Sequence, residues 1–348
     1  MERLAHIDAL RGSAVLLVLL QTLFVPLLGQ PWLLQHVLDP GLLGMLWFLL
    51  ISGFVVPASL RAGHDDAYRF LVRRFLRLFP AYVVATMIVV TMLGPAAGWF
   101  AGATATLATP SFEVLEQYGP LPVVLVFYLL CLGLQWSGLL HSVSLRSTVA
   151  LLLLALALLL ALARQLFMLN LPVTLPLVLS LMFFASVWYE AQHEGSSYAR
   201  RRAREYARHT LRFYGVVLPV IFLAGWAAAP TPGESWPRYV LTYVLGIAGF
   251  RLLSSRLPMN SPLLIWLGSI SYSLYLLLPA LQQLTHRLTT GLGLDGGAAA
   301  LITATLGMLL ALAAAQLCRY LVEQPFILLG KRLTGRRDMQ PLARLHSR

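Results

Sequence analysis

Stretches of roughly 20 mainly apolar residues recur along this chain, separated by short charged or Pro/Gly-rich breaks. No other feature restricts the fold as much. A helix rises about 1.5 Å per residue, so about 20 such residues cross a hydrocarbon core about 30 Å thick. The runs fall near 12–29, 41–60, 79–98, 121–140, 149–169, 171–190, 211–229, 238–254, 261–283 and 297–318. In lipid, backbone polar groups have to be satisfied within each segment. The expected fold class is therefore an all-α integral membrane protein of about ten transmembrane helices. The break between the fifth and sixth runs, Asn170 to Pro172, is the weakest, and one long helix bent there satisfies the same pattern. Composition agrees, since 58% hydrophobic residues, 11% charged residues and a mean hydropathy of +0.75 lie outside what a water-soluble domain tolerates. The first run is long for a signal-peptide core and no small-residue cleavage pattern follows it, so it reads as a retained helix.

The net charge of +12 would point to nucleic acid in a soluble protein. Here the basic residues sit in the connectors, where topology and anionic lipid account for them and a nucleic-acid partner is not expected. The even-numbered connectors are basic: Arg61, Arg69, Arg73, Arg74 and Arg77; Arg146; Arg200, Arg201, Arg202, Arg204 and Arg208; Arg251 and Arg256. The odd-numbered ones are not, and Arg238 and Arg287 are the only bases beside two of them. This alternation predicts both termini in the cytoplasm of a bacterial inner-membrane protein, with a single transmembrane domain over 1–330 and a basic cytoplasmic tail over 331–348. The stretch from Ala191 to Thr210 reads as an arginine-rich amphipathic segment on the cytoplasmic surface. No pair of Gly/Pro-broken helices marks the inverted repeat of a secondary transporter.

Polar residues inside or beside apolar runs are costly, which makes each a functional candidate. Asp8 and Arg11 are three apart and share a helix face. Arg73 and Arg77 are four apart and can present two guanidinium forks, an arrangement that serves either phosphate or a lipid-headgroup anchor. Ser52 and Gly53 allow close helix packing. Trp266 to Pro279 forms a hydroxyl-rich helix with a kink at Pro279, and Glu323 precedes the stop at Pro325 and is available to an arginine. Cys131 and Cys318 have no CxxC spacing and no neighbouring histidine pair, so no metal site or disulfide framework is indicated.

Taken in order, Asp8-Ala-Leu-Arg11-Gly12, Ser52-Gly53-Phe54, Arg73-Arg74-Phe-Leu-Arg77 with Pro80, Leu267-Gly268 through Ser271-Tyr272-Ser273-Leu-Tyr275, and Glu323-Gln324-Pro325 resemble membrane-bound acyltransferase family 3, the bacterial O-acyltransferases. The resemblance runs over essentially the whole chain. It implies a ten-helix fold that moves an acyl group from cytoplasmic acyl-CoA to an acceptor, usually a glycan hydroxyl. It also implies that Arg11, Arg73, Arg74 and Arg77 meet the CoA, with no permanently bound cofactor.

Two departures stand against those matches. The family places a histidine after ten residues beyond the first-helix arginine, where this chain has Thr22 next to Gln21, and a second histidine where it has Leu278. Position 22 lies about 16 Å of helix from Arg11. Attack by a hydroxyl needs a proton acceptor there, and a positioned base is worth roughly 10² to 10⁴ in rate. The histidines present, His6, His36, His64, His141, His193, His209, His286 and His346, are expected in connectors, tails or helix ends. The expectation is a catalytically silent or altered homologue acting as a membrane subunit, a protein's membrane partner, or an acyl-CoA or lipid binder. The alternative is an active enzyme that acylates a glycan using another base.

Overall fold

The computed structural model describes residues 2–25, 32–61, 67–93, 121–167, 171–193, 196–228, 236–255, 261–291 and 297–334. Among these the chain is helical, without a strand. The helices are α1 (Glu2–Leu19), α2 (Trp32–His36), α3 (Pro40–Arg61), α4 (Ala67–Leu93), α5 (Leu121–Trp136), α6 (Val143–Phe167), α7 (Thr174–His193), α8 (Ser197–Ala228), α9 (Trp236–Ser255), α10 (Pro262–Gly291), α11 (Gly297–Cys318) and α12 (Gln324–Leu333). Wider π-helical turns extend α1 through Leu20–Phe24 and join α11 to α12 through Arg319–Glu323. Among the described residues a helix lies along each apolar run of the sequence, the fourth ending at Trp136. Six segments are long and apolar enough to cross a membrane, and Pro122–Trp136 and Pro262–Leu278 are shorter apolar segments.

The fifth and sixth runs are two helices rather than one bent one. Ser180 on α7 donates to the carbonyl of Ala150 on α6 at 2.7 Å, and Arg146 near the start of α6 meets Ser186 and Glu190 near the end of α7. That pairing is possible only in an antiparallel hairpin.

The segment from 197 to 210 also departs from expectation. It is the first part of α8, continuous with the apolar part, and Ala203, Ala207 and Thr210 on one face are buried. Small residues at this spacing let the arginine-bearing turns pack on α7, where Arg204 donates to the carbonyl of Ala191 at 3.2 Å. Arg201, Arg202 and Arg208 are exposed, which is the amphipathicity the sequence carries.

Backbones approach closely where glycines allow it. A Cβ on Gly53 of α3 would lie 2.6 Å from the Cα of Met182 on α7, which fits the packing role read for Ser52-Gly53. Association between apolar helices in lipid rests on such van der Waals contact, because lipid tails are as apolar as leucine. Leu10, Leu46, Phe54, Leu181, Phe184 and Phe250 belong to the largest buried cluster, where α1, α3, α7 and α9 meet.

Basic residues gather at one end of the bundle. The start of α1, the ends of α3, α7 and α9 and the start of α10 meet there, bringing Arg11, Arg61, Arg146 and Arg251 to one side. The π turn of α1 lies at the other end, where Gln21 packs on Gly41 and Leu23 faces Gly307.

Candidate functional site

The motif residues scattered through the sequence meet at the basic end. Helices α1 and α10 cross there through reciprocal glycines: a Cβ on Gly12 would run into the carbonyl of Leu264, and one on Gly268 into the carbonyl of Asp8. This crossing holds Asp8 and Arg11 against the Trp266–Tyr275 segment. Arg11 Nη1 lies 3.4 Å from Asp8 Oδ1, a long, one-turn pair.

Arg11 is also within electrostatic reach of Arg77, Arg74 and Tyr128, and Arg77 of Arg74, Tyr128, Glu323 and Asp8. Three guanidinium groups from α1 and α4 therefore share one neighbourhood. Arg74 stacks over Phe70 at 5.4 Å and Tyr128 at 5.6 Å, and among the described residues no carboxylate pairs with it. Arg73 faces elsewhere, its Nε donating to Thr334 Oγ1 at the end of α12 at 2.9 Å. Helical spacing suggests Arg73 and Arg77 as the pair, whereas the arginines in electrostatic reach of Arg77 are Arg74 and Arg11, with Glu323 and Asp8 as its acidic neighbours. Guanidinium forks gathered in this way, with Arg74 lacking a carboxylate pair among the described residues, are suited to bidentate binding of phosphate oxygens.

The acidic and hydroxyl groups of the other motifs complete this end. Glu323 is buried in the π turn and accepts from Ser273 Oγ, with Arg77 and Arg319 as cationic neighbours, while Arg319 Nη1 donates to Ser269 Oγ. Tyr272 donates its hydroxyl to the carbonyl of Leu78 on α4 at 2.8 Å. The hydroxyls of α10 thus tie it to α4 and the α11 end.

The positions where the resemblance leads one to expect imidazoles lie away from the arginines. Leu278 is 5% exposed and belongs to an apolar cluster with Leu19, Leu23, Leu274 and Ala311, so the two positions adjoin one region of the α1, α10 and α11 core. Thr22 is partly buried, and Gln21 packs on Gly41 with its Oε1 buried and unpartnered. Of the histidines whose side chains are described, His6 and His193 line a 30 Å³ pocket at the basic end. His36 lies 3.1 Å from the carbonyl of Trp32, and His141 is exposed. His209 sits exposed within α8 rather than in a connector, because that helix begins earlier than expected. His64 and His346 lie outside the described residues. Cys131 and Cys318 are buried free thiols in separate apolar clusters.

Two polar centres were not singled out from sequence. Glu190 Oε2 receives Arg61 Nη1 at 2.5 Å and also Arg146 Nη2, and Arg146 Nη1 donates to the Ser186 carbonyl at 3.2 Å. At the far end Asp39 is buried, caps α3 by accepting from the Leu42 N–H at 2.9 Å, and receives Arg238 Nη2. A signal existed for both: an acid within or at the edge of an apolar run.

Arginines on the basic end, a glycine-welded α1/α10 crossing and a buried glutamate before the last helix define a membrane-embedded, acyltransferase-like bundle. A family model described as an acyltransferase domain matches residues 4–320, and the chain belongs to that family, acyltransferase family 3. No curated protein and no solved structure matches the chain.

Proposed function

We propose that this chain keeps the family's fold and its hold on acyl-CoA or lipid but does not transfer an acyl group, and that it serves as a membrane subunit or partner. The observation that carries this reading is Leu278, packed among Leu19, Leu23 and Leu274 where a base is expected. Neither Leu278, Thr22 nor Gln21 can take a proton from a hydroxyl, and the loss of a positioned base removes roughly 10² to 10⁴ in rate. The cluster of Arg11, Arg74 and Arg77 supports retained phosphate binding, with Arg73 at its edge and acyl-CoA as ligand rather than as a resident cofactor.

Ten spans with both termini in the cytoplasm of a bacterial inner membrane fit the basic residues collected at one end. The transmembrane domain would then occupy 1–330, with 331–348 as the tail. The bilayer and a membrane protein are the expected partners.

A second reading, an active O-acyltransferase acting on a glycan, draws on the same arginine cluster. Acetyl-CoA binding to purified protein, measured beside transfer of labelled acetyl to cell-envelope glycan, separates them. Saturable binding that Arg77→Ala removes, without transfer, is the expected result. Transfer by the wild-type chain would overturn the silent reading, and absence of binding would overturn the ligand. Thr22→His then asks whether an imidazole restores turnover.

A further inference from the structure

Helices α4 and α5 touch where Phe70 meets Tyr128, their rings 5.7 Å apart and edge to face. Beside that contact lies an open groove of about 360 Å³, walled by Phe75, Phe79, Leu125 and Leu129, with Arg74 and Tyr128 among its lining residues. The walls face outward: Phe75 and Phe79 stack at 4.5 Å and are 55% and 48% exposed, and Leu129 is 66% exposed. In a bundle that crosses a membrane, these side chains meet lipid tails. Along α4 the groove runs from Leu71 to Tyr82, about 16 Å of helix rise, with Arg74 one turn in from its basic end, which accommodates a good part of one acyl chain.

Charge decides what kind of chain. Arg74 has aromatic rings on its faces, Arg11 and Arg77 nearby, and no carboxylate pairing with it among the described residues. An occupant that lays its tail in the groove and its head on Arg74 is favoured when that head is negative, and a guanidinium binds phosphate oxygens in a planar fork. The groove also opens sideways from the outer surface of the bundle, where the bilayer supplies ligand continuously.

We infer that the α4/α5 groove binds one acyl chain of an anionic phospholipid from the leaflet on the basic side, with its phosphate held by Arg74. The inference rests on the membrane reading of this chain; it shares Arg74 with the proposed acyl-CoA site but places its tail on α4 and α5, so the two ligands are measured separately.

Native mass spectrometry of the purified full chain, titrated with phosphatidylglycerol or with diacylglycerol of equal chain length, which lacks the phosphate, tests it, with acetyl-CoA binding and melting temperature measured on each variant. Wild type should retain one phosphatidylglycerol at least about tenfold more tightly than diacylglycerol, the worth of a charge-assisted hydrogen-bonded pair. Arg74→Ala should bring the two lipids to near equality. Leu125→Trp and Leu129→Trp, which fill the groove from α5, should lose both lipids while melting and binding acetyl-CoA like wild type. Equal retention of the two lipids by wild type, or undiminished retention by both tryptophan variants, would overturn the site. Displacement of the lipid by palmitoyl-CoA but not acetyl-CoA would reassign the groove to an acyl donor's tail and overturn it as well. If wild type keeps phosphatidylglycerol but never binds acetyl-CoA, the lipid site stands and the acyl-CoA reading falls.

Discussion

Replacing Glu190 by alanine removes a carboxylate that holds two guanidinium groups. Arg146 is 1% exposed and Arg61 18% exposed, so the two cations respond differently. Arg61 can turn toward water or a headgroup at the basic end, and its share of the cost is small. Arg146 cannot: it keeps only the Ser186 carbonyl and hydroxyl, and its Nε is already unpartnered. Breaking a buried pair from one side costs about 3–5 kcal/mol because an uncompensated charge remains. At roughly 2 °C per kcal/mol for a large domain, the melting temperature should fall by about 6–10 °C. Tryptophan fluorescence during heating in detergent provides the assay. The double variant Arg146→Met/Glu190→Leu removes the buried charge as well as its partner and should recover most of the loss. A fall below about 2 °C in the single variant, or a double variant no better than the single one, would refute the view that Glu190 is there to neutralise Arg146.

Other expectations follow from named contacts. Gly268→Val pushes a branched side chain into the Asp8 carbonyl and should destabilise by about 3 kcal/mol, read as a lower melting temperature and weaker expression in the membrane. Asp39→Asn keeps an oxygen for the Leu42 N–H but drops the charge facing Arg238, whereas Asp39→Ala loses both; the alanine variant should melt lower by about 1 kcal/mol more, the usual worth of a helix cap. Arg77→Ala should weaken acetyl-CoA binding at least about tenfold and Arg73→Ala distinctly less, because Arg73 is engaged with Thr334; isothermal titration compares the two.

Much of the fold was legible because its cause is local. Apolar runs of this length are what crossing a bilayer requires, and among the described residues a helix lies along each of them. Residues 197–210 were harder, since arginines on one face of α8 mask the alanines on the other, and only a partner helix reveals which face is buried. The site was legible in part. Asp8, Arg11, Gly12, Gly268 and Glu323 stood out as segments, but nothing in their spacing says that Gly12 and Gly268 lock together or that Arg74 joins Arg11 while Arg73 turns to α12. Those are long-range facts, fixed by how helices distant in sequence cross. Glu190 and Asp39 show the converse: each was visible as an acid bordering an apolar run, yet its partner lay 44 or 129 residues away for Glu190 and 199 for Asp39, beyond the reach of periodicity.

The reciprocal glycines of α1 and α10 also limit how the bundle can move. Two helices pressed together along their main chains have no side-chain cushion to compress, so they can neither slide nor roll past one another without carbonyls colliding. They act as a fixed post. Any opening at the basic end has then to come from elements other than α1 and α10, and the Tyr272 hydroxyl, donating to the Leu78 carbonyl, is a bond that holds α4 to that post.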